Sequence, residues 1–220
     1  MNISKKRPFW SLQERKKRQD SGSAAVRLPE TLWVQGDYRP SDARAVAIIG
    51  SRKNTAEGGK FASSLSSELA RTGVCIVSGL ALGIDGFAHR GALKVGGRTL
   101  AVLGTGLEHI RPAVHRPLAR EIASSGALLS PFDPSFSGYR DGRNYLQRNE
   151  IIAALSRVLV VADAKTQSGS LSTVRAALRL GRPVGLAPHL ASQSWAADFL
   201  IDENVFLVHG VSDVLERMGS

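Results

Sequence analysis

From Leu28 onward the chain alternates between short, continuous apolar runs and longer segments with helical spacing. Strand-like runs fall at 32–34, 45–49, 74–77, 99–103, 127–129, 158–161, 184–187 and 205–208. Between most of them the apolar residues recur at three and four positions, which marks one face of a helix. Phe61, Leu65 and Leu69 do so, as do Leu146, Ile151, Ile152 and Leu155, and then Leu171, Val174, Ala177 and Leu178. Strands that are apolar throughout must be covered on both faces, and strands separated by helices run parallel. The pattern therefore predicts an α/β protein with an extended Rossmann-like, three-layer α/β/α fold and a mostly parallel sheet over residues 28–220. No internal repeat is present.

Right-handed crossovers place the carboxyl end of every parallel strand, and the amino end of the following helix, on one edge of such a sheet. Ligands bind there, so the residues just after each strand matter most. The first loop is Gly50-Ser51-Arg52, followed by Lys53. Glycine lets the backbone approach a ligand, serine caps or donates, and the guanidinium fork suits phosphate. Ser78-Gly79-Leu80-Ala81-Leu82-Gly83, Gly104-Thr105-Gly106 and Gln167-Ser168-Gly169-Ser170 follow three further strands. Four glycine- and hydroxyl-bearing loops backed by helix amino ends predict a row of exposed N–H groups that accepts an anion. A glycine at a strand end serves turn geometry just as well. It is the combination with Arg52 that points to a phosphate.

Charge sharpens the picture once it is located. The chain carries 29 Lys and Arg against 19 Asp and Glu, a formal charge of +10. Residues 1–27 hold eight of the basic side chains and only Glu14 and Asp20 as acids, so the arm carries +6 and the remainder +4. The arm is expected to be flexible, with a linker at 21–25 and a short helix through 13–18. A basic arm attracts phosphate backbones without reading sequence, and the same composition also serves as a solvated leader.

Several function classes find no support. The longest apolar runs span six to eight residues, well short of the about 18–20 that cross a bilayer, and no apolar signal core follows the basic start. Cys75, the single cysteine, sits in an apolar run and reads as a small core residue, with no disulfide framework and no metal site. These features predict a cytoplasmic protein without metal or cofactor. Gly104-Thr105-Gly106 opens like a dinucleotide fingerprint but lacks the third glycine and the downstream acid. There is no Walker motif and no nucleophile elbow. Asp85 and His89 are spaced to touch on one helix, with Ser78 the only nearby nucleophile, and a structural pair at a helix start is the simpler reading. No catalytic residues are assigned.

The same residues resemble the DNA-processing protein A (DprA/Smf) family. The likeness runs through Ala45-Val46-Ala47-Ile48-Ile49-Gly50-Ser51-Arg52 and the Val77-Ser78-Gly79-Leu80-Ala81 segment through Gly83-Ile84-Asp85 to Ala88-His89 and Gly91-Ala92. It continues in Ala101-Val102-Leu103-Gly104, Arg148-Asn149, Ser168-Gly169-Ser170-Leu171 and Arg182-Pro183-Val184, and covers about residues 28–208. The resemblance implies a homodimer that binds single-stranded DNA without sequence preference and loads a RecA-type recombinase during DNA uptake. It implies phosphate contacts from Ser51 and Arg52, with Lys53, Arg116 and Arg148 as further cations and Asn149 as a brace for a helix start. Two features depart from the family. Arg111-Pro112-x-x-His115 puts a cation where the family usually carries a tyrosine, exchanging base stacking for phosphate attraction. The helical N-terminal domain and C-terminal winged helix of many members are not in this sequence. Phe132, Phe136, Tyr139 and Tyr145 remain as stacking candidates, or as pins for a long loop. The competing readings are a nucleotide-binding sensor or phosphoribohydrolase-like relative on the same sheet, and a pure interaction scaffold.

Overall fold

In the computed structural model, which describes residues 2–6, 28–139 and 141–219, Ala45, Val46, Ala47 and Ile48 are all fully buried although they are consecutive in sequence. Alternate side chains of a strand point to opposite faces, so this strand is covered above and below. In chain order the elements are β1 (Ile3–Lys6), β2 (Leu32–Gly36), β3 (Ala45–Gly50), α1 (Ala56–Arg71), β4 (Ile76–Ser78), α2 (Ile84–Lys94), β5 (Thr99–Val102), α3 (Arg116–Ser125), β6 (Ala127–Ser130), α4 (Arg143–Leu155), β7 (Ser156–Asp163), α5 (Ser170–Arg179), β8 (Val184–Leu186), α6 (Ser194–Leu200), β9 (Val205–Leu207) and α7 (Val211–Gly219). Val46 and Ile48 pack with Ala62 and Leu65 of α1, Ile84 of α2 and Val214 of α7. Ala45, Ala47 and Ile49 face the other way, into a cluster with Ile151 and Ile152 of α4, Leu171 and Val174 of α5 and Trp195 of α6. A third cluster joins Leu80, Leu103 and Leu128 to α3 through Leu118 and Ile122.

The sheet order is β1-β2-β6-β5-β4-β3-β7-β8-β9. The seven strands from β6 to β9 in that order are parallel, and β2 joins β6, and β1 joins β2, in antiparallel fashion. The chain builds outward from β3 through β4 and β5 to β6, then returns to lay β7 on the opposite side of β3. The topological switch therefore lies between β3 and β7, where the following loops diverge and leave a crevice. The three-layer Rossmann-like architecture expected from the patterning is borne out. Two details differ. The run at 74–77 yields a strand only from Ile76. The expected flexible arm contains a strand: Ile3–Lys6 pairs with β2, because the edge of β2 away from β6 offers its backbone groups to any extended segment. The helix expected at 13–18 and the linker at 21–25 lie outside the described residues.

Among the described residues no helix is long and apolar enough to cross a membrane, and no group of three His, Cys, Asp or Glu side chains could hold a metal ion.

Candidate functional site

Close contact between the ends of β3 and β7 builds the site. Asp163, the last residue of β7, accepts the Ser51 amide on its backbone carbonyl at 2.9 Å. Its carboxylate accepts both the amide and the hydroxyl of Thr55, at 2.8 and 2.7 Å, and Thr55 caps α1. The loop after β3 is thereby tied across the switch point. Gly50 permits this: a Cβ there would stand 2.5 Å from the Asp163 carbonyl and 2.6 Å from the Ile84 side chain. Arg52 and Lys53 project from the tied loop and are exposed.

Two cavities meet at Arg52. The larger, about 540 Å³, lies over the switch point and is lined by Ser51, Arg52, Lys53, Lys165, Ser168, Gly169 and Ser170, with Asn149 along the α4 side. The smaller, about 250 Å³, is lined by Gly79, Leu82, Gly104, Thr105, Arg111 and Pro112. They share Arg52, Ala81, Tyr145 and Arg148. The Arg52 guanidinium sits 5.5 Å from the centre of the Tyr145 ring, and that of Arg148 sits 5.7 Å from it, both within cation–π range.

These two arginines live in different surroundings. Arg148 is buried; it donates to the Gly79 carbonyl at 2.5 Å and lies 3.8 Å from the Asp85 carboxylate. Asp85 also accepts the Ala81 amide at 3.2 Å. Burial pushes the Asp85 carboxyl up against the pull of Arg148, and burial pulls the Arg148 guanidinium down against the pull of Asp85. In both partners desolvation outweighs the mutual attraction, as expected of an ion pair taken out of water. Gly79 is required for this arrangement, because a Cβ there would run into the Arg148 guanidinium. Arg148 thus braces the floor of the site from a largely buried position, while still lining both cavities.

Three other predicted residues, Ser78, Gly106 and Arg116, lie outside the lining of both cavities. The Ser78 hydroxyl is fully buried and donates to the Ile48 carbonyl at 2.7 Å, locking β4 to β3. Gly106 lies under the loop after β6; its amide donates to the Phe136 carbonyl at 2.7 Å, and a Cβ would strike the Asp133 and Pro134 carbonyls. Arg116 is exposed at the start of α3, outside the lining of both cavities. The expected row of free amides is partly consumed as well: Ser51, Gly106 and Ser168 all donate to carbonyls of the chain itself. Asp85 and His89 do not pair. The His89 Nδ1 lies 2.7 Å from the Thr99 hydroxyl, and burial, together with nearby His115, Arg90 and Arg148, lowers its pKa to about 3.

The structure does bring together Gly50, Ser51, Arg52, Lys53, Ser168, Gly169 and Ser170 around the larger cavity, with Gly79 and Gly104 on the smaller. Asn149 braces the start of α5, donating to the Ser172 hydroxyl at 2.9 Å. Of the four aromatic candidates, Phe132, Phe136 and Tyr139 pack on one another, with ring centres 4.6 to 6.4 Å apart. Tyr145 alone of the four lines the cavities. Lys165 was missed by sequence reasoning, which began the fourth loop at Gln167. Its signal was its place two residues beyond the end of β7, the same distance at which Arg52 follows β3.

The family described as DNA recombination-mediator protein A matches residues 20–219 of this sequence. The chain belongs to that family. Protein Smf of Escherichia coli strain K12 is 38% identical over 200 residues, covering 89% of this chain and 52% of that protein. DNA processing protein DprA of Bacillus subtilis strain 168 is 34% identical over 218 residues, 98% of this chain and 69% of that protein. Among solved structures, DNA processing protein A of Streptococcus pneumoniae superposes with a TM-score of 0.80 at 32% identity, covering 98% of this chain and 74% of that one. The protein of the same name from Helicobacter pylori, studied for its unique single-stranded DNA binding mode, also gives a TM-score of 0.80, at 27% identity over 98% and 95% of the two chains. The chain spans about half the length of the Escherichia coli and Mycobacterium tuberculosis relatives it matches. Against this recombination-mediator family, the site is a positively charged rim on a braced floor. Arg52, Lys53 and Lys165 face the larger cavity, and its acidic lining residue, Asp85, is already paired with Arg148.

Proposed function

We propose that this chain binds single-stranded DNA along the carboxyl edge of its sheet, gripping phosphates through Arg52, Lys53 and Lys165, and that it works as a binding protein and not as a catalyst. One observation carries the reading: Arg52 is exposed at the wall shared by two cavities and stands over the ring of Tyr145. A polyanion lying across that wall meets Arg52, Lys53 and Lys165 over the larger cavity and Arg111 at the smaller, with the Tyr145 ring shared by both. Cations beside an aromatic face are the combination used for single strands without base readout. The Helicobacter pylori relative, whose single-stranded DNA binding has been studied, supports it. The candidate catalytic side chains have structural roles, Ser78 holding β3 and Asp85 holding Arg148, which supports the non-enzymatic reading.

The family description as a recombination mediator supports a further step, in which a homodimer of this protein hands its DNA to a RecA-type recombinase. We place this in the cytoplasm, in keeping with a single buried free thiol, Cys75. The test is anisotropy of fluorescein-labelled oligo-dT across a salt series. Tight binding at low salt that declines steeply with salt supports the proposal, and no binding at low salt overturns it. Release of free base from a nucleoside monophosphate would instead establish the phosphoribohydrolase-like alternative.

A further inference from the structure

The strand β1 is held to the molecule by little. It has four residues, Ser4 and Lys5 are exposed, and Ile3 is its one apolar side chain, half-buried against the cluster beneath β2. Its register pairs Lys6 with Leu32, so 25 residues of sequence, 7–31, connect two antiparallel strands that a turn of 2–5 residues would join. Closing so long a connection costs more entropy than closing a hairpin, and among the described residues that cost is opposed by a four-residue ladder, the Ile3 contact and the Lys5 side chain over Trp33. What β1 covers is the outer edge of β2 from Leu32 to Gln35, with the side chain of Lys5 over the Trp33 ring.

The chemistry of the fit is visible in the occupant. The Lys5 ammonium stands 5.3 Å from the centre of the Trp33 ring. Two carboxylates feel the charge of the strand, one of them, Asp37, already ion-paired with Arg39. Asp133, held low mainly by the hydroxyl and amide of Ser135, also feels Lys5, and Asp37, held low mainly by Arg39, also feels Lys6. An extended backbone supplies the ladder, an aliphatic residue supplies the apolar contact, and two consecutive lysines supply the cation–π and ionic contacts.

We propose that the outer edge of β2 is an acceptor for an extended, lysine-bearing segment of another protein, and that β1 is the chain's own removable occupant of that site. The geometry sets the order of events: β1 leaves, and the incoming segment takes its register against Gln35, Val34, Trp33 and Leu32. This surface lies four strands away from β3 in the sheet, so its use does not depend on the DNA site.

The experiment uses the full chain and a fluorescein-labelled peptide, Asn-Ile-Ser-Lys-Lys, with Asn-Ile-Ser-Glu-Glu as control. In the variant Ser4→Pro with Lys5→Pro, β1 loses its ladder donors and the edge is left open. The lysine peptide is expected to bind this variant saturably, at least tenfold more tightly than the unaltered chain, and the glutamate peptide not at all. Adding Asp133→Asn is expected to weaken it severalfold at low salt. A second variant, Lys5→Glu with Lys6→Glu, evicts β1 by charge and is expected to behave the same way, which keeps the test intact should the prolines unfold the chain. Circular dichroism and the urea midpoint monitor folding. Absence of saturable binding to both folded variants up to millimolar peptide overturns the proposal. So does equal binding to the unaltered chain, because the peptide would then be adding to the free edge of β1.

Discussion

Arg52 and Arg148 lie nearly the same distance from one tyrosine ring, 5.5 and 5.7 Å, yet they belong to two different machines. Arg52 is part of a rim, exposed and free to meet a ligand, together with Lys53 and Lys165. Arg148 is part of a buried floor with Asp85, Ser78, Asn144 and His89. Ser78 donates to the Ile48 carbonyl, Asn144 to the Gly104 carbonyl, Arg148 pairs with Asp85 and His89 meets Thr99. The Arg148 Nε and His89 Nε2 atoms have no hydrogen-bond partner among the described residues. The floor makes the loops rigid, and the rim uses them. Residue type does not distinguish the two, because the deciding factor is whether a cation has already been neutralised. Floor substitutions are therefore expected to change stability first, and rim substitutions to change binding alone.

The largest effect is expected at the floor. Arg148→Ala strands the Asp85 carboxylate and the Gly79 carbonyl in a buried space, and removing one member of such a pair costs about 3–5 kcal/mol. Urea unfolding of the variant is expected to show a loss of that size. Replacing both partners, as Arg148→Met with Asp85→Leu, is expected to restore part of it, since no uncompensated charge is left behind. An Arg148→Ala protein with unchanged stability and lost DNA binding would erase the distinction.

The same division explains what could be read from the sequence. The parallel sheet was legible because strands such as Ala45–Gly50 are apolar on both faces, and the βα loops then had to share an edge. Ser51, Arg52 and the Ser168–Ser170 turn followed from that placement. Ser78, Gly106 and Arg148 did not, because their roles depend on what approaches from elsewhere in the chain: the Ile48 carbonyl, the Phe136 carbonyl and the Asp85 carboxylate. Spacing along a helix suggested Asp85 with His89, but Asp85 turns to α4 and His89 to Thr99 on β5. The strand Ile3–Lys6 was hidden for a similar reason. A four-residue basic segment has no pattern of its own, and only the edge of β2 makes it a strand.

The next effect is expected at the rim. Arg52→Ala removes an exposed cation that has no hydrogen-bonded partner to strand among the described residues, so stability is expected to stay within about 0.5 kcal/mol, as for surface substitutions generally. Binding of oligo-dT is expected to fall about tenfold, with the slope of log affinity against log salt reduced by about one phosphate contact. Fluorescence anisotropy across a salt series reads both. Equal affinity for Arg52→Ala and the unaltered chain would move the DNA site away from this edge.

Acid titration sharpens the floor. His89 is buried and neutral, with its pKa lowered from 6.5 to about 3. The unfolded chain therefore takes up a proton below pH 6.5 that the folded chain refuses until about pH 3. Because the unfolded state binds more protons in that window, stability is full above pH 6.5 and falls as the pH drops through it. Between pH 7.5 and 6 the loss is expected to be about 0.8 kcal/mol from this group, from a slope that approaches 1.4 kcal/mol per unit. His89→Gln keeps a side chain able to meet Thr99 and is expected to flatten the decline in the urea midpoint over that range. Parallel curves for the variant and the unaltered chain would show that His89 is solvated and that the floor is wet.

The smallest effect is expected at Lys165, and it tests whether the rim continues across the switch point. Lys165 follows β7 as Arg52 follows β3, so the two cations face one cavity from opposite sides of the crevice. An ammonium is a well-hydrated point charge on a flexible stem and grips a phosphate less firmly than a planar guanidinium. Lys165→Ala is accordingly expected to weaken oligo-dT binding only about two- to threefold, without loss of stability. The informative comparison is the double variant with Arg52→Ala. If one strand spans the crevice and each cation meets its own phosphate, the two losses add in free energy, as they do for well-separated contacts. If both cations hold a single phosphate, the second substitution has little left to remove, and the combined loss falls short of the sum.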